Sequence, residues 1–375
     1  MQKQRINDFV VIGGLLVILL LAGPLLGVWL RGEPLAPYLQ FPPKTLDVEP
    51  SSFSWLTFGA MLLFVILTTW PFWKRLGKGS WRWKEVRNRE GKFPRWGWLA
   101  AAATIGFWIL AWSRFDWFEP FQRLTFFPLW FSFTVTLNAL AEWISGRSVL
   151  TRYPLYFTLL FPVSSVFWWL FEYLNRFVNN WHYVAVDELG GWQYFWEATL
   201  PFSTVLPAVM SALYLLLRLP VFKQEYQNFP SLPWLTSPRL WTLLGGVAIL
   251  GLIGIGWSPD VMFPLLWIAP GVLWISLGFW RGSVHSNLKD VSRGDLRLVW
   301  ASAMAALVCG FFWEMWNVYS AAKWQYNVPG VERFYLFEMP ALGYAGYLPF
   351  GVVCLLIGTS LFSALWPEKK YFEEF

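Results

Sequence analysis

The chain is 375 residues long, 56% of them hydrophobic and only 14% charged, with 29 Trp and 34 Phe. Soluble domains carry close to twice that charged share, so the composition excludes a disordered chain and an ordinary soluble enzyme. The Lys and Arg that give a net charge of +6 lie between apolar runs, as the positive-inside rule requires, which argues against a nucleic-acid partner. The composition predicts an all-α polytopic membrane protein.

Ten apolar runs are long enough to cross a bilayer as helices, at about 20 residues each. They are residues 9–30, 53–73, 96–112, 125–143, 154–175, 199–219, 240–257, 262–280, 299–318 and 343–366. Ten runs predict about ten transmembrane helices, with each edge uncertain by several residues.

Loop charge predicts the orientation of these helices. Residues 74–95 hold nine Lys and Arg against two Glu, so this segment is predicted to be cytoplasmic. If successive loops alternate between the two sides of the membrane from this segment, the remaining internal loops are all net positive. Both termini are then predicted to lie in the cytoplasm. The predicted location is the plasma membrane, which is the inner membrane if the chain is bacterial.

Polar residues recur at matched spacings in two apolar regions, which indicates an internal duplication. Glu172 and Asn175 are three apart, as are Glu314 and Asn317. A W-x-Y triplet follows each pair, and then a further glutamate; these residues are Trp181, Tyr183, Glu197, Trp324, Tyr326 and Glu338. Each copy spans four predicted helices, so the copies are parallel, unlike the inverted repeats of many transporters.

The duplication divides the chain into five parts. Residues 1–95 form two leading helices with a basic cytoplasmic segment, and 96–219 form the first four-helix repeat. Residues 220–239 are a cytoplasmic linker, 240–366 the second repeat and 367–375 a short tail. The predicted fold is therefore two leading helices followed by two four-helix repeats.

The recurring acids are the candidate catalytic residues. An ionisable group within hydrocarbon costs at least about 2.5 kcal/mol, so Glu172 and Glu314 should face the bundle interior. Spacing by three places Asn175 and Asn317 on the same helical faces. Glu197 and Glu338 are predicted to open the next helices on the same external side. The four glutamates and two asparagines are thus expected near one outer-leaflet cavity.

Aromatic residues near these acids are the candidate substrate-binding residues. Ring faces attract a developing cation, and a carboxyl among rings can hold a proton at neutral pH. This combination suits protonation of a carbon–carbon double bond in an isoprenoid. The rings are Trp169, Trp181, Tyr183, Trp313, Trp324, Tyr326, Tyr344 and Tyr347.

The same motifs resemble those of membrane lycopene cyclases of the duplicated small-domain type. That family carries W-D-N, then W-x-Y, then P-x-E-E on apolar helices. Glu314 with Asn317, the Trp324 triplet and Glu338 form a similar series, and the first repeat echoes it. An acid and an Asn three apart replace W-D-N, and single glutamates replace the paired acids. The resemblance implies an acid-catalysed, non-redox rearrangement of a polyene, with glutamates as proton donor and acceptor. No cofactor is predicted from the sequence.

Several alternatives remain open at the level of sequence. The polar residues can instead be structural, in a non-catalytic subunit that anchors a larger membrane complex. A proton-coupled carrier is a further alternative, although the parallel repeat argues against it. A metal site is disfavoured, because His182 and His285 fall in loops predicted on opposite sides of the membrane. The predicted partners are therefore a membrane lipid or apolar small molecule, or subunits of a complex.

Overall fold

The computed structural model describes residues 2–43, 52–79, 92–184, 186, 189–283, 286–369 and 371. Most of the basic cytoplasmic segment, His285 and the end of the tail lie outside this described part. The helices are α1 (Gln2–Leu30), α2 (Trp55–Leu76), α3 (Arg95–Trp112), α4 (Phe126–Ser145), α5 (Val149–Arg152), α6 (Pro154–Val178), α7 (Gly191–Phe202), α8 (Val205–Leu216), α9 (Pro220–Gln224), α10 (Pro238–Trp257), α11 (Pro259–Met262), α12 (Leu265–Trp280), α13 (Ser286–Ser292), α14 (Arg297–Asn317) and α15 (Tyr347–Leu365).

Short elements fill the segments between the helices. Within the described ranges, 3₁₀ helices cover Ala36–Leu39, Asp116–Leu124, Pro233–Thr236 and Ala341–Gly346. The described residues form four strands, namely β1 (Trp181–Tyr183), β2 (Trp324–Tyr326), β3 (Tyr335–Leu336) and β4 (Met339–Pro340). Strands β1 and β2 pair with each other, as do β3 and β4, both antiparallel. The protein is therefore nearly all-α, as predicted.

In the described part of the chain, seven helices are long and apolar enough to cross a membrane. The number rises to eight if α3 and the 3₁₀ helix after it, which meet at a bend of 108°, form one span. Helix α12 is apolar but has only 16 residues. These helices fit an integral membrane protein, whereas the count of ten, the duplication and the orientation stay predictions.

The helices pack as one bundle around a continuous apolar core. Helix α10 contacts α12, α3 contacts α4, and α14 contacts both α15 and α8. Helix α1 lies against α10, α12 and α15, so the first predicted span is part of the bundle. In α2, by contrast, only Thr69 is buried, which leaves an apolar helix at the periphery with its side chains available to lipid.

Two glycines allow α1 and α10 to meet backbone to backbone. A Cβ added at Gly256 would lie 1.9 Å from the carbonyl oxygen of Pro24, and one at Gly27 would lie 2.0 Å from that of Ile253. Small residues at such crossings let membrane helices approach closely and gain packing contacts. The glycines in the run 245–256 therefore include one that is required for helix contact.

Replacing Gly256 by alanine is expected to destabilise the bundle by about 1–3 kcal/mol, the usual cost of overpacking. The added methyl group would meet backbone atoms, which cannot move aside as a flexible side chain can. The measurement is the melting temperature of the detergent-solubilised protein, followed by tryptophan fluorescence. Gly246→Ala on the same helix is the control, because nothing lies within 4 Å of a Cβ there. Equal melting temperatures for the two variants would contradict this contact.

Candidate functional site: an aromatic cavity backed by two glutamates

A cavity of about 690 Å³, counting its open mouth, lies where β1 and β2 pair at one end of the bundle. Ten of the fifteen residues that line it are aromatic, and polar atoms contribute little of its wall. The lining comes from both halves of the chain, for example Trp168 and Trp181 from the first and Trp313 and Trp324 from the second. We call this space the aromatic cavity.

Glu172 lies behind one wall of the aromatic cavity, near the end of α6. Its side chain is fully buried, at 0% exposure. Its Oε1 atom accepts hydrogen bonds from the Tyr183 hydroxyl at 2.6 Å, from Trp168 Nε1 at 2.9 Å and from Trp181 Nε1 at 3.1 Å. All three donors line the cavity, so the carboxyl contacts the cavity through these rings and does not itself line it.

Glu314 has the equivalent position at the end of α14 and is also 0% exposed. Its Oε1 atom accepts from the hydroxyls of Tyr326 and Tyr347, each at 2.7 Å. Trp324 Nε1 donates to the Tyr326 hydroxyl at 2.8 Å, which extends the chain of hydrogen bonds by one ring. Each glutamate is therefore held by a tyrosine that faces the cavity.

The other carboxyl oxygen of each glutamate is left without a partner. Glu172 Oε2 and Glu314 Oε2 are both buried, and neither has a hydrogen-bond partner among the described residues. A buried, unsatisfied polar atom in a folded protein calls for an explanation, such as a chemical role or a bound water. Both carboxyls thus keep one site at which a proton can be held.

Asn175 and Asn317 position the two strands that carry the tyrosines. Asn175 Nδ2 donates to the carbonyl of Trp181 at 2.7 Å, and its Oδ1 accepts from the Trp181 amide at 3.3 Å. Asn317 makes the same two bonds with Trp324, at 2.7 and 2.9 Å. The asparagines were predicted as candidate catalytic residues, and here they bond backbone atoms and do not line the cavity.

Strand pairing then brings the two tyrosine–glutamate pairs to one space. The register sets Trp181 opposite Tyr326 and Tyr183 opposite Trp324. The two triplets are therefore related by an approximate twofold axis through the central residue pair of the two strands. Directly opposite residues in an antiparallel pair have neighbouring side chains, so the four rings form one surface of the cavity. The W-x-Y triplets, three residues each, are the elements that join the two halves of the site.

The tyrosine hydroxyls on the strands keep their protons over a wide pH range. Burial raises the pKa of Tyr183 well above its usual value of 10.0, and the neighbouring charge of Glu172 raises it further. Burial likewise raises the pKa of Tyr326, with a further contribution from Glu314. Both hydroxyls are therefore neutral donors under physiological conditions, available to relay a proton but not to act as phenolate bases.

The second pair of glutamates was predicted to open helices, and that prediction is wrong. Glu197 lies within α7, where it accepts from Gln193 Nε2 at 2.8 Å and lies 3.8 Å from Arg123 Nη2. Glu338 lies in the turn between β3 and β4, 2.6 Å from Lys323 Nζ. A proline and two glycines near Glu338 favour a turn and a 3₁₀ helix over an immediate α-helix. Neither glutamate lines the aromatic cavity.

Glu197 instead borders a second space that adjoins the aromatic cavity. This vestibule is lined by Arg123, Tyr194 and Glu197, and it shares Phe126, Tyr183, Pro201 and Phe202 with the aromatic cavity. The vestibule carries the charged groups, while the aromatic cavity carries the rings. Of the four predicted glutamates, two therefore back the aromatic cavity, and a third lines the adjoining vestibule.

The predicted substrate-binding rings mostly line the aromatic cavity. Those that do are Trp181, Tyr183, Trp313, Trp324, Tyr326 and Tyr347. Trp169 does not; it donates to Thr199 Oγ1 at 3.0 Å and stacks on Phe195. Tyr344 also does not, because its hydroxyl donates to the carbonyl of Leu336 at 3.1 Å.

The candidate site residues predicted from the sequence did not include other parts of the lining, such as Phe126, Trp168 and Trp267. Trp168 lies one turn before Glu172 on α6, so its spacing of four was a usable signal. Phe126 begins the run F-F-P-L-W at the start of α4, and Trp267 ends the run M-F-P-L-L-W near the start of α12. No polar residue marked either of them. Gly343 and Gly346 complete the wall, where the absence of side chains leaves space.

Comparisons with known proteins add no assignment to these observations. No protein-family model matches the chain, and neither a curated protein nor a solved structure shows significant similarity to it. Within the described part of the chain, no group of three or more His, Cys, Asp or Glu residues could hold a metal ion.

Proposed function

We propose that the protein is a membrane-embedded acid–base enzyme that binds an unsaturated apolar lipid of the isoprenoid type in the aromatic cavity. The observation that carries this proposal is the pair of buried glutamates, each hydrogen-bonded through Oε1 to a tyrosine that faces the same cavity. Buried acids in a membrane bundle are costly, and functional residues are the usual reason for them.

The lining supports an apolar, unsaturated ligand. Apolar walls disfavour charged substrates, and the cavity lies at an end of the bundle beside the pairing of β1 and β2. Ten aromatic residues can stabilise a carbocation by cation–π attraction, at about 0.5–2 kcal/mol for each well-placed ring. An ordinary saturated acyl chain would gain nothing from these ring faces beyond burial.

The two tyrosine–glutamate pairs supply a proton donor and a proton acceptor. In the pair whose carboxyl is protonated, the tyrosine hydroxyl turns from Oε1 to the ligand and gives its proton to one carbon of a double bond, and the carboxyl then returns a proton to the tyrosine oxygen. The carboxylate of the other pair accepts, through its own tyrosine, the proton lost from a carbon next to the cation. One C–H bond forms and one breaks, the double bond moves, and no electrons are exchanged. Proton exchange between the glutamates and water restores the starting state.

The paired strands also support the proposed duplication. Equivalent triplets that pair antiparallel about a central residue are what a pseudo-twofold axis between two parallel repeats would produce. The proposed topology is two leading helices followed by two four-helix repeats, ten spans in all, with both termini in the cytoplasm. With that orientation, the aromatic cavity opens towards the outer leaflet.

Filling the cavity should prevent binding of a polyene. A Cβ added at Gly346 would meet only the ring of Trp267, at 3.7 Å, and the backbone there has φ −62°. Gly346→Leu should therefore fold and occupy the cavity. We expect retinol, used as an isoprenoid probe, to bind at least about tenfold more weakly to this variant, which corresponds to about 1.4 kcal/mol. The readout is energy transfer from tryptophan to retinol in detergent.

Gly246→Leu is the matched control, since it adds the same side chain on α10 where a Cβ meets nothing within 4 Å. It should bind retinol as the parent does. Equal retinol affinity in parent, Gly346→Leu and Gly246→Leu would show that retinol does not enter the aromatic cavity, and it would remove the support for a polyene ligand.

A second candidate function is that of a non-catalytic subunit of a larger membrane complex. The peripheral position of α2, in which only Thr69 is fully buried, favours it, because a partner helix could pack there. In that case, the parent protein would bind no polyene, and purification from native membranes would recover it with a stable partner.

A further inference from the structure

The vestibule beside the aromatic cavity holds an arginine and a glutamate that the proposed reaction does not use. Its empty volume is about 530 Å³, counting its opening. Arg123 comes from the 3₁₀ helix after α3, and Glu197 comes from α7. Their side chains are 36% and 22% exposed, so both can be reached from outside the bundle. The rest of the vestibule is lined by apolar and aromatic residues, four of which also line the aromatic cavity.

The two charged groups are separated by a gap that a small polar group can bridge. Arg123 Nη2 lies 3.8 Å from Glu197 Oε1, which is close enough for an ion pair but too long for a hydrogen bond. Gln193 Nε2 donates to Glu197 Oε1 at 2.8 Å, whereas the guanidinium of Arg123 donates no hydrogen bond to any described residue. A polar contact of this length is commonly bridged by a third group, such as a water or a ligand hydroxyl.

The charges at the vestibule favour a neutral ligand group over an anionic one. An anion bound to Arg123 would lie close to the carboxylate of Glu197, and like charges repel. The two residues between Val186 and Leu189 in the sequence are acidic and lie outside the described part of the chain, so they bring no positive charge. A hydroxyl suits both partners, because its oxygen accepts from a guanidinium while its hydrogen is donated to a carboxylate.

We infer that the lipid bound in the aromatic cavity is an isoprenoid alcohol, whose hydroxyl lies in the vestibule between Arg123 and Glu197. This inference rests on the proposed function, since the aromatic cavity must hold the unsaturated chain. The chain passes Phe126, Tyr183 and Phe202, which line both spaces. With its hydroxyl held at one end, the chain presents a double bond at a fixed distance from that end to the tyrosine–glutamate pairs. Arg123 and Glu197 thus bind and position the ligand and take no part in proton transfer.

Exposed apolar side chains beside the vestibule agree with a ligand that comes from the bilayer. Phe121 and Leu124 lie next to Arg123 on one segment, and Trp196 and Leu200 lie next to Glu197 on the other; all four are exposed. Contiguous exposed apolar surface is typical of contact with a membrane. Tryptophan favours the membrane–water interface, which is also the level at which the hydroxyl of a membrane alcohol lies.

The test compares retinol with deoxyretinol, in which a hydrogen replaces the hydroxyl on the same polyene chain. Energy transfer from tryptophan gives the dissociation constants of both for the full chain in detergent. The parent should bind retinol at least about tenfold more tightly than deoxyretinol, as expected for a hydroxyl that contacts charged groups. Arg123→Gln and Glu197→Ala should each weaken retinol binding by about fivefold or more, and the double variant should show no preference. Deoxyretinol affinity should be unchanged in all three variants.

Glu119→Ala is the matched control. It removes an exposed acid from the 3₁₀ helix that carries Arg123, at a position that does not line the vestibule. It should bind both retinoids as the parent does. The melting temperature of each variant without ligand shows whether it is folded, and the comparison of the two retinoids in the parent requires no variant.

The possible outcomes separate this inference from the proposed function. Equal affinity of the parent for the two retinoids, with both lost in Gly346→Leu, would overturn the inference and leave the polyene site supported. If neither retinoid bound the parent, the proposed function and the inference would both be overturned. Retinoic acid that bound more tightly than retinol, and lost this advantage in Arg123→Gln, would also overturn the inference, because the vestibule would then select an anion. Equal loss of retinol affinity in Glu119→Ala and Glu197→Ala would overturn it as well.

Discussion

Replacing Glu314 by alanine is expected to lower the free energy of unfolding by about 2–6 kcal/mol. The change leaves the hydroxyls of Tyr326 and Tyr347 without their acceptor in a buried site. Each buried donor that loses its partner costs about 1–3 kcal/mol. The measurement is the melting temperature, or unfolding by denaturing detergent, followed by tryptophan fluorescence.

Replacing Glu314 by glutamine separates the role of the carboxyl in stability from its proposed role in proton transfer. Glu314→Gln keeps an oxygen that can accept from both tyrosines, so its stability should stay within about 1 kcal/mol of the parent. Glu142→Ala is a control on α4, where the carboxyl accepts from the Thr151 hydroxyl in an exposed position. If Glu142→Ala destabilised the protein as much as Glu314→Ala, the buried tyrosine–glutamate hydrogen bonds would contribute no more to stability than an exposed hydrogen bond.

Loss of the proton carriers should abolish lipid conversion. Movement of a double bond through a cation takes up a proton from the enzyme, so deuterium from heavy water should enter the lipid. We expect the parent to label an isoprenoid in a membrane lipid extract. We expect Glu172→Gln and Glu314→Gln each to lower the labelling rate by about 10²–10⁴-fold, the usual contribution of general acid–base catalysis. Mass spectrometry of the extracted lipid measures the labelling.

Glu142→Gln serves as the matched control for this experiment. Sixteen residues of α4, or about 24 Å, separate Glu142 from Phe126 at the cavity. It should label lipid at the parent rate. Labelling that persists in Glu172→Gln and Glu314→Gln would rule out these glutamates as proton carriers, even if their rings bind the lipid. Retained retinol binding in the glutamine variants would show that only the chemistry was lost.

The polar part of the site was predictable from sequence because polar side chains on apolar helices must face the interior of the bundle, where other protein groups can satisfy them. The spacing of Glu172 and Asn175, repeated by Glu314 and Asn317, correctly placed four buried polar side chains near helix ends. The rings that follow at matched positions were predicted for the same reason, and six of the eight line the cavity. Spacing on a helix is a local property, so a single sequence can reveal it.

The rest of the site depends on contacts between distant segments. Strands of three residues leave no periodic signal, so the pairing of β1 with β2 could not be predicted. Trp267 joins the wall through the packing of α12, and it is one of 29 tryptophans. Glu338 was misplaced because a glutamate before an apolar run resembles the start of a helix, whereas the chain first makes a turn.

The number of transmembrane helices was also hard to predict from the sequence alone. Residues 262–280 are apolar throughout, yet Met262 is the last residue of the short α11 and the 16-residue α12 begins only at Leu265. Pro264 directly before α12 accounts for the break, since a proline cannot donate the backbone hydrogen bond that a continuous helix needs. Hydropathy alone measures the length of an apolar run and does not detect such a break.

The most direct test of the central claim is to locate a bound isoprenoid by photolabelling. A diazirine-bearing farnesyl lipid would be crosslinked to the full chain in lipid nanodiscs, and the labelled residues would be mapped by mass spectrometry. The account predicts labels concentrated on Phe126, Trp267 and Tyr347, removed by excess unlabelled lipid and absent in Gly346→Leu. Labels confined to lipid-facing positions such as Leu63 and Phe64 on α2, with none in the aromatic cavity, would contradict it.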